Sequence, residues 1–534
     1  MPAINVIQFA GERPKIAPHL LPNENATKAL NCDLEVGTLR PYLGVKDTAD
    51  TIAANVKTFY RYQGLHWLYW DKVVDVVLSP VPEDPWGRVY YTGDGYPKFT
   101  NNQIIQGDGT PISYKLGIPA SKDKINAVVN PPSPLPDKDD LSDDETRFYV
   151  FTYVSSDGAE GAPSPLSNQI DIKYPNSSVT LTLPAAGTQA SNITKRRVYR
   201  SATGGGVAAF FKVVDLDLSA TTYTDRLGVS DLDDQLESSG YEMPNADLRH
   251  LTLMANGILA GGYKNNVCFS EPYLPHAWNP AYQLTTEHEI VAMAAVGSTL
   301  VVGTKGYPWM FQGVSPDAMS GRKLPSMQAC VSKRSMKNID NMIIYAAPSG
   351  LVAFDGSDVR LVTENIITKE QWQQLEPETI EAHYYDGNYV AFYGPSLSKA
   401  FIFNPTRQDL VFFDIGYESA FEHLKDGVLY VKKPDGKIAK WNKGARLTTT
   451  FRSKEYKSLY PTFSTLYVLS DDNSKVGIRV IADGTVIHDF TPGNVTEKPF
   501  RIPPVRANSW QFETYGDVEI TRVCLSTSVA EIYG

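Results

Sequence analysis

Four cysteines occur in 534 residues, Cys32, Cys268, Cys330 and Cys524. They stand far apart with no Cys-x-x-Cys pair, which excludes a zinc site or disulfide framework legible from spacing and predicts buried, reduced thiols suited to a reducing cytoplasm. No stretch approaches the ~18 apolar residues of a membrane-spanning helix. The longest apolar stretches, such as residues 300–302 and 342–347, are strand-sized. Residues 1–10 lack the basic start and long apolar run of a secretory leader. Basic residues are not in excess. Fifty Lys and Arg stand against 60 Asp and Glu, a formal charge of −10, which argues against a generic nucleic-acid binder with its basic face.

Catalytic signatures are also missing. Gly204-Gly205-Gly206 lies between two strand-like runs and lacks the Lys-Ser/Thr of a phosphate loop, so it reads as a hairpin loop. Glu287-His288-Glu289 is not His-Glu-x-x-His. Strand alternation puts its two glutamates on one face and His288 on the other, as on a solvated edge. Asp137, Asp139, Asp140, Asp143 and Asp144 lack the glycine and terminal glutamate of a calcium loop and read as a solvated acidic loop. No Gly-x-Ser-x-Gly elbow occurs. The expectation is therefore no enzyme: no catalytic residue, no cofactor-binding residue and no metal ligand.

Helical periodicity is scarce. One short helix is expected over residues 23–31, where Pro22 and an Asn cap precede an apolar face of Ala26, Ala29 and Leu30. A second is expected over 368–375, with Thr368 as cap and Gln371 at the capping-box position. What is abundant is aromatic residues at 11%, 39 glycines and 36 prolines, the composition of many short strands joined by tight turns.

From about residue 250 apolar strand pairs recur. Between Gly257, Gly297, Asn341, Gly387 and Gly427 the period is 40 to 46 residues, the range of a propeller blade. The same texture at 64–70 and 88–91 adds at least one more blade, giving about six, with five to seven allowed. A Pro-rich stretch at 130–136 and the acidic run 137–145 then lead into strands at 148–154, 179–183, 196–200, 210–214 and 221–225, the density of a β-sandwich. Near the end, 476–481 meets 485–487 through Asp483-Gly484, a hairpin signal. The fold class is thus all-β. The expected domains are 1–124 as N-terminal arm and first blade or blades, 125–242 as an inserted fibronectin-III-like sandwich (platform), 243–446 as the remaining blades, and 447–534 as a C-terminal β-rich domain. The basic clusters Lys195-Arg196-Arg197 and Lys432-Lys433 read as solvated strand edges rather than phosphate contacts.

Several short passages, spread over nearly the whole chain, together resemble the tail nozzle (tail tubular) proteins of short-tailed bacteriophages. They are Pro18-His19-Leu20-Leu21-Pro22 continuing through Ala26, Ala29, Asn31, Gly37, Leu39 and Pro41; Arg197-Val198-Tyr199-Arg200-Ser201 with Thr222-Tyr223-Thr224-Asp225; and Asn266-Val267-Cys268-Phe269-Ser270-Glu271-Pro272 with Pro275, Ala277 and Trp278. Gly350-Leu351-Val352-Ala353-Phe354-Asp355-Gly356 follows, and then Phe451-Arg452-Ser453-Lys454 with Phe500-Arg501-Ile502-Pro503. The resemblance implies a structural virion protein assembled in the bacterial host cytoplasm. It implies a homohexameric ring continuing the DNA channel below the portal and the head–tail adaptor ring, with tail fibres around it and double-stranded DNA in transient passage. On this view the Pro-rich opening lays an arm across a neighbour, Trp278 anchors a loop between blades, and the loop 315–326 is a candidate gate. A net acidic lumen would repel phosphates and let DNA slide. The alternative is a carbohydrate-binding or glycan-degrading propeller of a fibre or baseplate, with Trp67, Trp70 and Trp86 as candidate sugar-stacking residues.

Overall fold

The computed structural model describes residues 3–136, 145–190, 192–204, 207–458 and 461–533. The acidic run from Asp137 to Asp144, and Gly205-Gly206 of the glycine triplet, lie outside the described residues. The fold is nearly all-β, as expected, and its centre is a β-propeller. Four-stranded antiparallel meanders follow one another along the chain, beginning with Asp75–Leu78, Val89–Thr92, Lys98–Thr100 and Tyr114–Lys115. The later ones start at Arg249–Leu253, Ile290–Val296, Lys337–Ile339 and Glu381–Tyr385. A further sheet takes Ala420–His423, Val428–Lys432 and Lys437–Lys440 and completes itself with Lys46–Thr51 from the opposite end of the sequence. The hairpin Thr58–Tyr62 and His66–Trp70 packs between this sheet and the first meander.

Each meander is apolar on both faces because it is sandwiched between two others. Ala260, Val267 and Phe269 face Leu300, Val302 and Phe311 of the next sheet. Val301 and Met310, on the other side of that sheet, meet Ile343, Tyr345 and Val352. Ile344, Leu351 and Ala353 in turn meet Ala391 and Phe401. This explains why the strands read as unbroken apolar runs rather than clean alternations. The period landmarks Gly387 and Gly427 have φ of +71° and +60°, backbone that glycine adopts without a Cβ clash.

Between Lys115 and Arg249 the chain leaves the propeller and forms a β-sandwich. Asn126–Asn130, Ser178–Thr182 and Thr222–Asp225 make one sheet, and Tyr149–Ser155, Ile193–Gly204 and Val207–Asp217 another, around Tyr149, Phe151, Val179, Leu181 and Val198. At its heart Arg200 and Asp225, both fully buried, pair at 2.8 Å, and Tyr149 donates to the same carboxylate at 2.8 Å. The sandwich is clamped to the propeller by Arg88, whose guanidinium holds Asp84 and reaches Asp157 at 3.0 Å.

The C-terminal β domain is built from both ends of the chain. Ala3–Val6 pairs with Ile520–Ser526 in one sheet. Asn25–Leu30 pairs with Thr449–Ser453 in the other, beside Ser509–Gly516, Val476–Ala482 and Thr485–Phe490. Ala10–Glu12 bridges this second sheet to the propeller strand Asp409–Phe413.

Four sequence expectations are corrected here. Residues 23–31 are not a helix. Ala26 and Ala29 are buried in a strand, where long-range pairing overrides a weak local helix preference. Residues 3–41 belong to the C-terminal β domain rather than to a unit ending at 124, because their partners are strands of the last 90 residues. Lys195-Arg196-Arg197 is not a solvated edge. It lies on the central strand of its sheet, with Arg196 buried over the Phe151 ring and Arg197 between Glu160 and Asp215. The segment 315–326 is not a free loop, since Ser320–Lys323 is the outer strand of a meander. The second helix is present as Lys369–Gln373, with both bonds of the Thr368–Gln371 capping box.

Candidate functional site

The innermost strands of the propeller converge on a cavity of about 250 Å³ on its axis. Strand alternation turns Thr58, Asp75, His250, Ala292, Lys337, Glu381, His383 and Ala420 toward it from successive sheets, and Ser332–Lys337 adds Lys333 and Arg334. No sequence cluster announced this group.

The charges are paired across sheets. Asp75 accepts from Lys333 Nζ at 2.7 Å, from Thr92 Oγ1 at 3.0 Å and from the His250 backbone N–H at 2.9 Å. Burial pushes the Asp75 carboxyl up, but Lys333, His250 and these hydrogen bonds outweigh burial and hold it below the usual carboxylate range. Arg334 is ion-paired with Glu381 and also donates to the Lys57 carbonyl at 3.0 Å. His383 lies between two carboxylates, with Nε2 3.2 Å from Glu381 Oε1 and Nδ1 3.2 Å from Glu422 Oε1. Glu422 also accepts from the Tyr384 N–H at 2.7 Å and lies 3.4 Å from Lys337 Nζ. Burial raises Glu422, yet Lys337 and His383 bring it down to about 2. Burial dominates at the two imidazoles, and both His250 and His383 are pulled down to about 4. The axis thus sets three acidic side chains (Asp75, Glu381, Glu422) against three basic ones (Lys333, Arg334, Lys337), beside two imidazoles that burial keeps from taking up a proton near neutral pH.

This arrangement fastens sheets together. Asp75–Lys333 ties the first meander to the turn before Lys337–Ile339, and Lys337–Glu422 and His383 link three successive inner strands. Glu381 Oε2 and His250 Nδ1 have no hydrogen-bond partner among the described residues. Among the described residues no cluster of three His, Cys, Asp or Glu has metal-ligand geometry.

Other residues singled out from sequence lie elsewhere. Trp67 and Trp70 are fully buried in inter-sheet cores, so their rings cannot stack on a sugar; Trp86 is half-buried. Glu287 and Glu289 sit on the surface, paired with Lys323 and Lys305, and His288 stacks on Tyr307. Lys432 is buried rather than solvated. It donates to the Ala54 carbonyl at 2.7 Å, and Lys433 holds Asp47, so the pair staples the strand that closes the last sheet. Trp278 is buried against Leu248, Leu251 and Tyr90, at the junction of two sheets. The four cysteines are buried and unbridged. The axial charges went unnoticed because they are dispersed from Asp75 to Glu422. The available signal was a charged or imidazole side chain in the first strand of several units, absent from Ile290–Val296, with Glu381-x-His383 the clearest case.

No family model matches the chain, and no curated protein matches it. Among solved structures, Citrobacter koseri AztD is similar at 13% identity, covering 68% of this chain and 99% of that one with a TM-score of 0.29. BBS1N in complex with ARL6DN is similar at 8% identity, covering 75% and 97% with a TM-score of 0.30. BamB from Moraxella catarrhalis is similar at 10% identity, covering 63% and 98% with a TM-score of 0.25. At these scores the likenesses carry no argument, and the propeller assignment rests on the strand pairings described above.

Proposed function

We propose that this chain is a structural virion protein, a tail nozzle subunit of a short-tailed bacteriophage, and that copies of it form a hexameric ring continuing the DNA ejection channel below the portal and adaptor and supporting tail fibres. The propeller has seven blades on this reading, six four-stranded and one reduced to the hairpin Thr58–Tyr62 and His66–Trp70, and the inserted sandwich is a fibronectin-III-like platform.

The observation that carries the reading is the axial plug. The cavity on the axis is lined by acidic and basic side chains whose partners come from different sheets, which is the chemistry of a fastener. Its volume equals that of a sphere about 8 Å across, whereas the major groove of a DNA duplex alone is ~12 Å wide, so a channel for DNA has to lie between copies rather than along the propeller axis. The passages that resemble nozzle proteins support the reading by their placement at structural joints. Ala26, Ala29 and Leu39 are in the core shared by the chain ends, Arg200 and Asp225 form the buried pair of the sandwich, and Trp278 seals a junction between sheets.

The test is electron microscopy of the purified full-length protein, with mass measured in parallel. Six-fold rings with a central hole are the expected outcome. A protein that stays monomeric at every concentration and salt condition sampled overturns the proposal.

A further inference from the structure

The outer face of the sheet formed by Ala3–Val6, Ile520–Ser526, Thr462–Ser470 and Phe500–Arg506 has an unusual composition. Exposed Arg501 and Arg506 lie along its edge strand, and Arg522 lies over the Tyr467 ring. Leu469 is 45% exposed, and Tyr533, in the final helical turn that packs on this sheet, is 72% exposed. Arginine and tyrosine beside an exposed leucine is the composition of protein–protein contact centres, which favour Arg and aromatics.

The complementary charge is concentrated elsewhere in the same chain. Residues 145–242 contain 12 Asp and Glu against 8 Lys and Arg, so the described part of the inserted sandwich is net acidic by −4. Its strap beside Val207–Asp217 presents exposed Asp231, Asp233, Asp234 and Glu237, with exposed Val229 among them. A chain that is acidic on one domain and has an arginine face on another associates head-to-tail through opposite charges, whereas like faces repel. Head-to-tail contacts between different surfaces generate rings when the rotation closes.

We infer that the Arg501–Arg506–Tyr467 face of the C-terminal β domain is a docking surface, and that its occupant is the acidic inserted sandwich of a second copy of this chain. The inference rests on the ring reading above and assigns the two faces that meet in it.

A charge-swap experiment on the full-length protein tests it. One variant carries Arg501→Glu and Arg506→Glu, and the other Asp234→Lys and Glu237→Lys. Melting curves matching the unmodified protein establish that both fold. The expected result is that each variant alone loses at least tenfold in association by sedimentation, while an equimolar mixture regains assembly because every contact is again between opposite charges. Variants that still assemble alone, while the unmodified protein forms rings, overturn the docking assignment and leave the ring reading standing. A mixture that remains dissociated overturns it as well. An unmodified protein that never assembles overturns the ring reading itself.

Discussion

Asp225 illustrates how much a single carboxylate holds in place. It is fully buried and accepts from Arg200, from the Tyr149 hydroxyl and from the Leu227 N–H at 2.9 Å. Removing one member of a buried ion pair strands the other in a medium that cannot solvate it. Asp225→Ala is expected to destabilise the sandwich by about 3–5 kcal/mol, read as a lowered denaturation midpoint. Thr368→Ala removes an N-cap bond to Gln371 at 3.2 Å at the start of a short helix and is expected to cost about 1 kcal/mol in the same measurement. The contrast separates a buried charge from a half-exposed cap. Of these two features the cap was legible in sequence, because a capping box is local. The ion pair was not, because a pairing across 25 residues and two sheets leaves no local mark.

At the scale of elements, Lys46–Thr51 decides whether the propeller is a closed ring or an open crescent. It completes the last sheet against Lys437–Lys440, and Thr48 Oγ1 donates to the Ile438 carbonyl at 2.8 Å. Proline at position 48 removes a backbone donor and clashes with regular pairing. Thr48→Pro is expected to lower the melting temperature and to raise protease cleavage within 46–57 and 420–443 ahead of the rest of the chain. Cleavage spread evenly over the chain would show that closure is not a separate joint. The strands themselves were legible from their apolar runs and from turns such as Asp483-Gly484, which joins Val476–Ala482 to Thr485–Phe490. Their partners were not. Asn25–Leu30 has the alanine, lysine and leucine of a helix and becomes a strand because Thr449–Ser453 offers it an edge.

At the scale of the molecule, the buried imidazoles set the response to acid. His250, His276 and His383 are all held near pKa 4 by burial, against about 6.5 in an unfolded chain. The unfolded chain takes up these protons first, so the stability present above pH 6.5 is lost as pH falls from 6.5 toward 4. For His383 alone the loss is on the order of 3 kcal/mol. Asp75 and Glu422, both held below their ordinary values, add a further loss as pH drops below about 4.5. Melting temperatures across pH 7.5 to 4 are expected to fall steeply below 6.5, and His383→Gln is expected to flatten that slope. A flat profile down to pH 4 would contradict the buried, neutral state of these rings. The coarse architecture of the molecule, a propeller with additional β domains, was readable from the 40- to 46-residue period. The charged axis was not, since it exists only once the sheets are brought round to face one another.

The weaving of both chain ends into one domain also fixes the order of events during synthesis. Ala3 faces Ser526 and Lys46 faces Lys440, so these strands are synthesised several hundred residues ahead of the partners they wait for. Until then they are unpaired edges beside a growing stack of apolar sheets. A nascent chain released early, or truncated before residue 437, is left with an open ring and sticky strands rather than a smaller working protein.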